Sequence, residues 1–309
     1  MSERKVVVYG GSGFVGSHVA DALSDEGYAV TVYDRVASPY LRDDQRMVVG
    51  DLMDLERVCS TAQGAFAVYN LAAIADLDQA RAQPLEVARI NVLGNMHVLE
   101  AARLNGVKRT VFASTVYVFS NSGSFYRASK QAAERFIEVY QAEYGLEFTI
   151  LRYGSLYGRR AGPGNGVYRM LRGALQDHAI RYAGDPDAVR EYIHVTDAAR
   201  MSARILGPEF ANRHLVLTGK ERLRVRELMQ MIVEMMPWPT RVEPVTPYAA
   251  GHYVLTPYAF RPSIGHKLVL NDFVDLGQGL LDCIHEMAGE HVLEDAMRVP
   301  DRPGGKAKA

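Results

Sequence analysis

KVVVYGGSGFVGSH, residues 5–18, decides how the chain is read. A β-branched apolar run ends at Tyr9, glycines stand three apart at Gly10, Gly13 and Gly16, and a helical pattern runs from about Phe14 to Glu26. Strand, tight turn and helix N-terminus in that order make an anion site. The glycines let the backbone approach a pyrophosphate, and the free N–H groups and helix dipole favour its charge. The spacing alone is weak evidence, but the strand before it and the helix after it supply the required context. In the absence of a ligand, the same turn would serve only close strand–helix packing.

The pattern repeats outward from this stretch. Short apolar runs YAVTVY, RMVVG, AFAVYN, RTVFAS and EFTILR alternate with helical stretches, including long segments from Pro84 to Asn105 and from Tyr126 to Tyr144. Such alternation predicts an α/β fold, a doubly wound parallel (Rossmann) sheet with helices on both faces, over residues 1–160. Later segments near 190–205 are expected to return to it. After Arg152 the order loosens: RYGSLYGRRAGPGNG reads as loops. AIRYA and RHLVLTG read as short strands, and 166–176, 196–206 and 225–236 as helices. Residues 161–295 are thus expected to form a smaller, irregular α/β substrate domain. The tail 296–309, rich in Pro, Gly and Lys, is expected to be disordered.

Composition excludes several functions. With 35 Lys+Arg against 36 Asp+Glu there is no basic footprint for nucleic acid or an anionic membrane. Cys59 and Cys283 have no ligand spacing, which argues against a zinc site and fits a reducing, cytoplasmic setting. No signal peptide or membrane span is expected, and no metal is implied.

Asp34 ends the second strand, about 20 residues past the glycines, where a carboxylate accepts hydrogen bonds from the adenosine ribose. It favours NAD over a 2′-phosphorylated dinucleotide, a preference that neighbouring Arg35 softens. Asp51 in GDLMD follows the third strand, where it serves either the adenine amino group or the turn itself. In SFYRASKQ, residues 124–131, Tyr126 and Lys130 share one helix face about a turn apart. With 17 tyrosines and 7 lysines in 309 residues, chance gives roughly 0.4 pairs at this spacing, so the surrounding motifs must decide its meaning.

Those motifs are GGSGFVG, the Asp34 strand end, GDL, NLAA at Asn70–Ala73, FASTVYVFS, YRASK, LRYGSLYG and REYIHVTDAAR. Their order resembles that of the extended short-chain dehydrogenase/reductases, specifically the nucleotide-sugar epimerase/dehydratase branch, over about residues 5–205. The resemblance implies bound NAD, with Phe14 and Val15 beside the glycines, Leu52 beside Asp51, and Leu71, Ala72 and Ala73 across the turn. It implies Tyr126 as acid/base, Lys130 as its partner, and Tyr153 lining the nicotinamide pocket. A free phenol has pKa about 10, and a lysine ammonium with a positive nicotinamide ring would favour the phenolate. Ungapped comparison with the family strand end puts Thr115 at the catalytic hydroxyl, with Ser114 as alternative, and the segment from there to Tyr126 is short for the family.

Dehydratases of this branch carry an Asp-Glu pair after that hydroxyl, because eliminating water needs a further acid and base. Here Val116 and Tyr117 stand there, and epimerisation asks least of the missing groups. The resemblance also implies that Arg190 holds the substrate diphosphate and that Ser155 touches the substrate. An ion pair of Arg190 with Glu191 or Asp187 is the plain alternative, and His194 reads as structural. The two long helical segments match those that pair relatives into homodimers. The sequence therefore predicts a UDP-glucose 4-epimerase-like enzyme. A dehydratase or dehydrogenase/reductase of the same family, or a non-catalytic NAD-binding regulator, are the alternatives.

Overall fold

The computed structural model describes residues 4–245, 252, 254, 266–267 and 273–288. The first half alternates as expected: β1 (Lys5–Tyr9), α1 (Phe14–Asp25), β2 (Ala29–Asp34), β3 (Arg46–Val49), α2 (Leu55–Ala62), β4 (Ala67–Asn70), α3 (Leu77–Ala82), α4 (Pro84–Val87), α5 (Gly94–Leu104), β5 (Arg109–Thr115), α6 (Ser124–Tyr144) and β6 (Phe148–Tyr153). There follow β7 (Ser155–Tyr157), α7 (Gly166–Gln176), β8 (Ala179–Tyr182), β9 (Val189–Arg190), β10 (Tyr192–His194), α8 (Val195–Arg204), β11 (Arg213–Leu217), β12 (Leu223–Arg224), α9 (Val225–Met235), β13 (Arg241–Pro244), β14 (His266–Lys267) and α10 (Leu276–Ala288).

The central sheet runs β3-β2-β1-β4-β5-β6-β11-β14, and every neighbouring pair is parallel. Its centre is a continuous apolar run because both faces are covered. The two-residue period of a strand then sorts the side chains. Val6 and Val8 pack with Val19 and Leu23 of α1 and Ala198 of α8, whereas Val7 and Tyr9 pack with Val58, Leu99 and Ile137 on the other face. A third core lies beyond the sheet, where Leu171, Ile180, Leu228, Ile232 and Leu280 bring α7, β8, α9 and α10 together.

Strand order reverses between β1 and β4, so the loops leaving their carboxyl ends diverge and open a crevice. The glycine turn follows β1, Leu71–Ala73 follow β4, Thr115 ends β5 and Tyr153 ends β6, so one sheet edge gathers most of the expected site.

Three local features differ from the sequence pattern. The run from Pro84 to Asn105 is not one regular helix: a π-helical stretch, Ala88–Leu93, joins α4 to α5. It turns Asn91 inward, where the amide bonds Ile74 and Ser129. RHLVLTG, from the irregular half, supplies β11 at the side of β6 in the central sheet. α10 has no counterpart in the sequence reading. The tail 296–309 and part of 161–295 lie outside the described residues. Among the described residues no helix is long and apolar enough to cross a membrane, and no acidic, His or Cys cluster has metal-site form.

Candidate active site

The glycine turn shows which contacts need which glycine. A Cβ at Gly10, whose φ is +79°, would lie 2.4 Å from the Ala72 nitrogen. One at Gly16 would lie 2.1 Å from the Gly10 carbonyl oxygen. Those two glycines pack the β1 turn against the β4 loop and against α1. Gly13 differs: its Cβ would meet only the Gly10 oxygen, at an ordinary 3.4 Å. Its outer face is therefore open backbone at the N-terminus of α1, with no acidic residue in the helix's first turn to repel an anion.

Asp34 closes the turn from the β2 side. One carboxylate oxygen accepts from the Ser12 amide at 3.0 Å and the other from the Val36 amide at 3.4 Å. It thus sets the turn while standing at the strand end where a ribose would lie, and Arg35 beside it is exposed. Asp51 is engaged in turn chemistry. Its carboxylate accepts from the Met53 amide at 2.9 Å and its carbonyl from the Tyr33 hydroxyl at 2.8 Å, while Leu52 is buried in the core.

A cleft of about 410 Å³ brings the two halves of the expected site together, lined by Phe14, Val15, Leu71 and Ala73 on one side and Thr115, Tyr126, Lys130 and Tyr153 on the other. Thr115 is placed by the end of β5, where its Oγ1 caps the following 3-10 turn, Val116–Phe119, by accepting from the Tyr117 amide. Tyr126 and Lys130 are placed by the first turns of α6. The Thr115 hydroxyl acts on the Tyr126 phenol, favouring its ionised form. Ser114 points elsewhere, donating to Glu134 Oε1 at 2.5 Å, so Thr115 is the hydroxyl that reaches the tyrosine.

The expectation joined the lysine ammonium to a positive nicotinamide ring, and the protein by itself supplies only the first. In the protein alone desolvation pushes the phenol up to about 12, with the Thr115 hydroxyl acting the other way. Lys130 Nζ donates to the Ala113 carbonyl at 2.6 Å and stands 5.8 Å from the Tyr126 ring centroid. Burial brings Lys130 down to about 7, opposed by Glu134 one turn on. The pair is thus mutually near but not bonded, and a further positive charge in the cleft is needed to favour the phenolate.

Glu134 was missed by the sequence reading. It is buried, and it accepts from Arg152 at 2.7 and 3.1 Å as well as from Ser114. Arg152 Nη2 also lies 2.9 Å from His214 Nδ1. The group ties β5, α6 and β6 together directly behind Thr115, Lys130 and Tyr153. Its one signal in the sequence was an acidic residue four after Lys130, on the same apolar helix face.

A second cleft, about 360 Å³, adjoins the first. Both are lined by Gly154, Leu156, Gly164 and Asn165, so they meet at a shared wall. Ser155 and Arg190 line this second cleft. Arg190 is buried, one guanidinium nitrogen donating to the Val189 carbonyl at 3.1 Å. Asp187 pairs with Arg226 at 2.8 Å and Glu191 with Arg222 at 3.3 Å. Tyr153 presents only its ring, since its hydroxyl bonds Ser202 in the core at 2.7 Å. His194 is buried before α8, edge-on to Tyr157 with centroids 5.2 Å apart, as a packing residue. Also unforeseen, Tyr117 and His252 line the second cleft and bond each other at 2.9 Å.

Known proteins resemble this arrangement. Residues 6–217 match the family model described as "NAD dependent epimerase/dehydratase family". A UDP-glucose 4-epimerase from Corynebacterium glutamicum is 27% identical over 280 residues, covering 80% of this chain and 84% of the relative. A dTDP-glucose 4,6-dehydratase from Mycobacterium tuberculosis is 28% identical over 285 residues, covering 84% and 85%. The crystal structure of a Thermus thermophilus UDP-glucose 4-epimerase in complex with NAD superposes with TM-score 0.74 at 27% identity, covering 92% of this chain and 99% of that one.

Proposed function

This chain belongs to the NAD dependent epimerase/dehydratase family, and from that premise we propose that it is an epimerase of nucleotide-diphosphate sugars, acting at C4 through a transient ketone. The observation that carries the reading is the adjacency of the two clefts: Thr115, Tyr126 and Lys130 line the first, and Arg190 lines the second. A substrate whose diphosphate is held by the arginine can extend its sugar to the phenol.

The residues present fit NAD: the open backbone at Gly13 suits its pyrophosphate, Asp34 the adenosine ribose, and the Lys130 wall the nicotinamide end. When bound there, NAD would supply a hydride acceptor for the sugar carbon and the positive charge that favours the phenolate. Tyr126 takes the proton from the C4 hydroxyl and later returns it. Thr115 bonds the reacting oxygen and aligns it with the phenol. Lys130, drawn to the Ala113 carbonyl, holds a cation beneath them.

Elimination would need, besides Tyr126, a further acid placed to protonate the departing hydroxyl, a role that the dehydratase pattern gives to its Asp-Glu pair. Among the described residues lining either cleft the one carboxylate is Asp76, which caps α3 by accepting from the Asp78 and Gln79 amides. Purified protein incubated with UDP-, GDP-, CDP- and dTDP-sugars is expected to interconvert one pair of C4 epimers with no net NADH. Stoichiometric ketone together with accumulating NADH would show a dehydrogenase instead.

The working form is read as a dimer in a reducing, cytoplasmic compartment, where free Cys59 and Cys283 are stable. Leu93, Phe136 and Val139 leave apolar surface exposed along the segments expected to pair, which a second copy would cover. Light scattering should give twice the 34.2 kDa chain mass, and a monomer mass would refute the pairing.

A further inference from the structure

Tyr117 lies two residues past Thr115, and hydride transfer at C4 makes no use of it. Its ring is edge-on to Tyr126, centroids 6.3 Å apart, and its hydroxyl lies 2.9 Å from His252 Nδ1. The two residues come from segments 135 positions apart and meet on the wall of the substrate cleft.

The backbone is bent to keep the ring there. Gly123 has φ +99°, and a Cβ on it would come within 2.7 Å of Tyr117 Cδ1. Ser124 follows at φ 47°, a left-handed conformation that residues other than glycine rarely adopt. Consecutive left-handed residues at the start of the helix that carries Tyr126 are unfavourable locally, and such geometry persists chiefly where function over-determines it.

We infer that Tyr117 and His252 form a second proton-transfer couple, facing the sugar near the junction of the clefts, which exchanges the hydrogen on the ring carbon next to the transient ketone. The inference rests on the nucleotide-sugar reading above, which supplies that ketone. A carbonyl acidifies the neighbouring C–H because the electron pair left behind spreads onto oxygen. In the step, that C–H bond breaks, its pair becomes the carbon–carbon double bond of an enolate, and the carbonyl pair moves to oxygen. The proton goes to Tyr117 Oη as the phenol's own proton passes to His252 Nδ1, leaving an imidazolium. The reverse transfer rebuilds the ketone, and proton exchange between the imidazolium and water returns solvent hydrogen to carbon. No oxidant or reductant is consumed.

The imidazole is suited to accept. Desolvation, then the charges of Arg190 and Arg169, hold it below its ordinary value, with Asp78 acting the other way and Arg81 with the arginines. It therefore rests neutral, and the tautomer that carries its proton on Nε2 accepts the phenol's hydrogen bond at Nδ1.

The test is to run the sugar panel in D2O and read the recovered sugars by NMR and mass spectrometry. Wild-type protein is expected to place deuterium on the ring carbon beside C4. Tyr117→Phe and His252→Gln should each lower the ratio of deuterium uptake to C4 epimer formed by about tenfold or more, since both proton carriers are required. Epimer without deuterium in the wild type, or an unchanged ratio in either variant, overturns the couple and leaves the epimerase reading standing. Neither epimer nor deuterium from any sugar overturns both.

Discussion

Tyr126→Phe is expected to lower turnover of the nucleotide sugar by about 10³-fold, within the 10² to 10⁴ that a positioned general acid–base contributes. The substitution removes one oxygen and little else. The ring remains edge-on to Tyr117, and Thr115 still accepts from the Tyr117 amide, so the one donor that loses its partner is the Thr115 O–H, which faces the cleft. Stability should change by about 1 kcal/mol or less, the scale of one hydrogen bond. NAD affinity should stay within a few-fold, because on the proposed reading Gly13 and Asp34 would hold the far end of the dinucleotide. Turnover by steady-state assay and NAD binding by calorimetry separate these effects. A variant that turns over within tenfold of wild type would remove the phenol from the mechanism, and one that loses NAD binding as well would show it to be mainly part of the cofactor wall.

The parts of this site that were legible in the sequence are those fixed by local sterics. Gly10 and Gly16 are dictated by distances to backbone that no side chain can share, and so they mark the turn directly. The Tyr126–Lys130 spacing follows from helix geometry alone. What helix geometry does not reveal is where a long side chain goes. Lys130 reaches the Ala113 carbonyl, on a strand brought under the helix only by folding, and in the protein alone burial dominates the phenol. The Glu134 group was hidden for the same reason, since Ser114, Arg152 and His214 come from β5, β6 and β11. The sequence order of RHLVLTG, after the irregular half had begun, likewise concealed that β11 pairs with β6.

Glu134→Gln is expected to destabilise the protein by about 3 kcal/mol or more, because breaking a buried ion pair leaves an uncompensated charge. The partner so exposed is Arg152, whose side chain is 9% accessible and whose guanidinium now meets two Glu134 oxygens. His214 relays only partial compensation from Glu138, whose carboxylate lies 3.2 Å from its Nε2. Glutamine keeps the volume and an acceptor for Ser114, so the loss reports charge rather than a cavity. The same charge raises the pKa of Lys130 against burial. The lysine sits at about 7 folded against 10.5 for the free group. Between those values the unfolded chain binds the extra proton, so the cofactor-free protein gains stability as pH rises through that window. Without Glu134 the lower edge of the window moves down. The alkaline limb of kcat, where Lys130 loses its charge, should move to lower pH with it. Urea unfolding at pH 7 and a kcat–pH profile measure the two effects. An unchanged midpoint would mean that Arg152 finds other compensation, and an unshifted limb would mean that the Lys130 charge does not govern turnover.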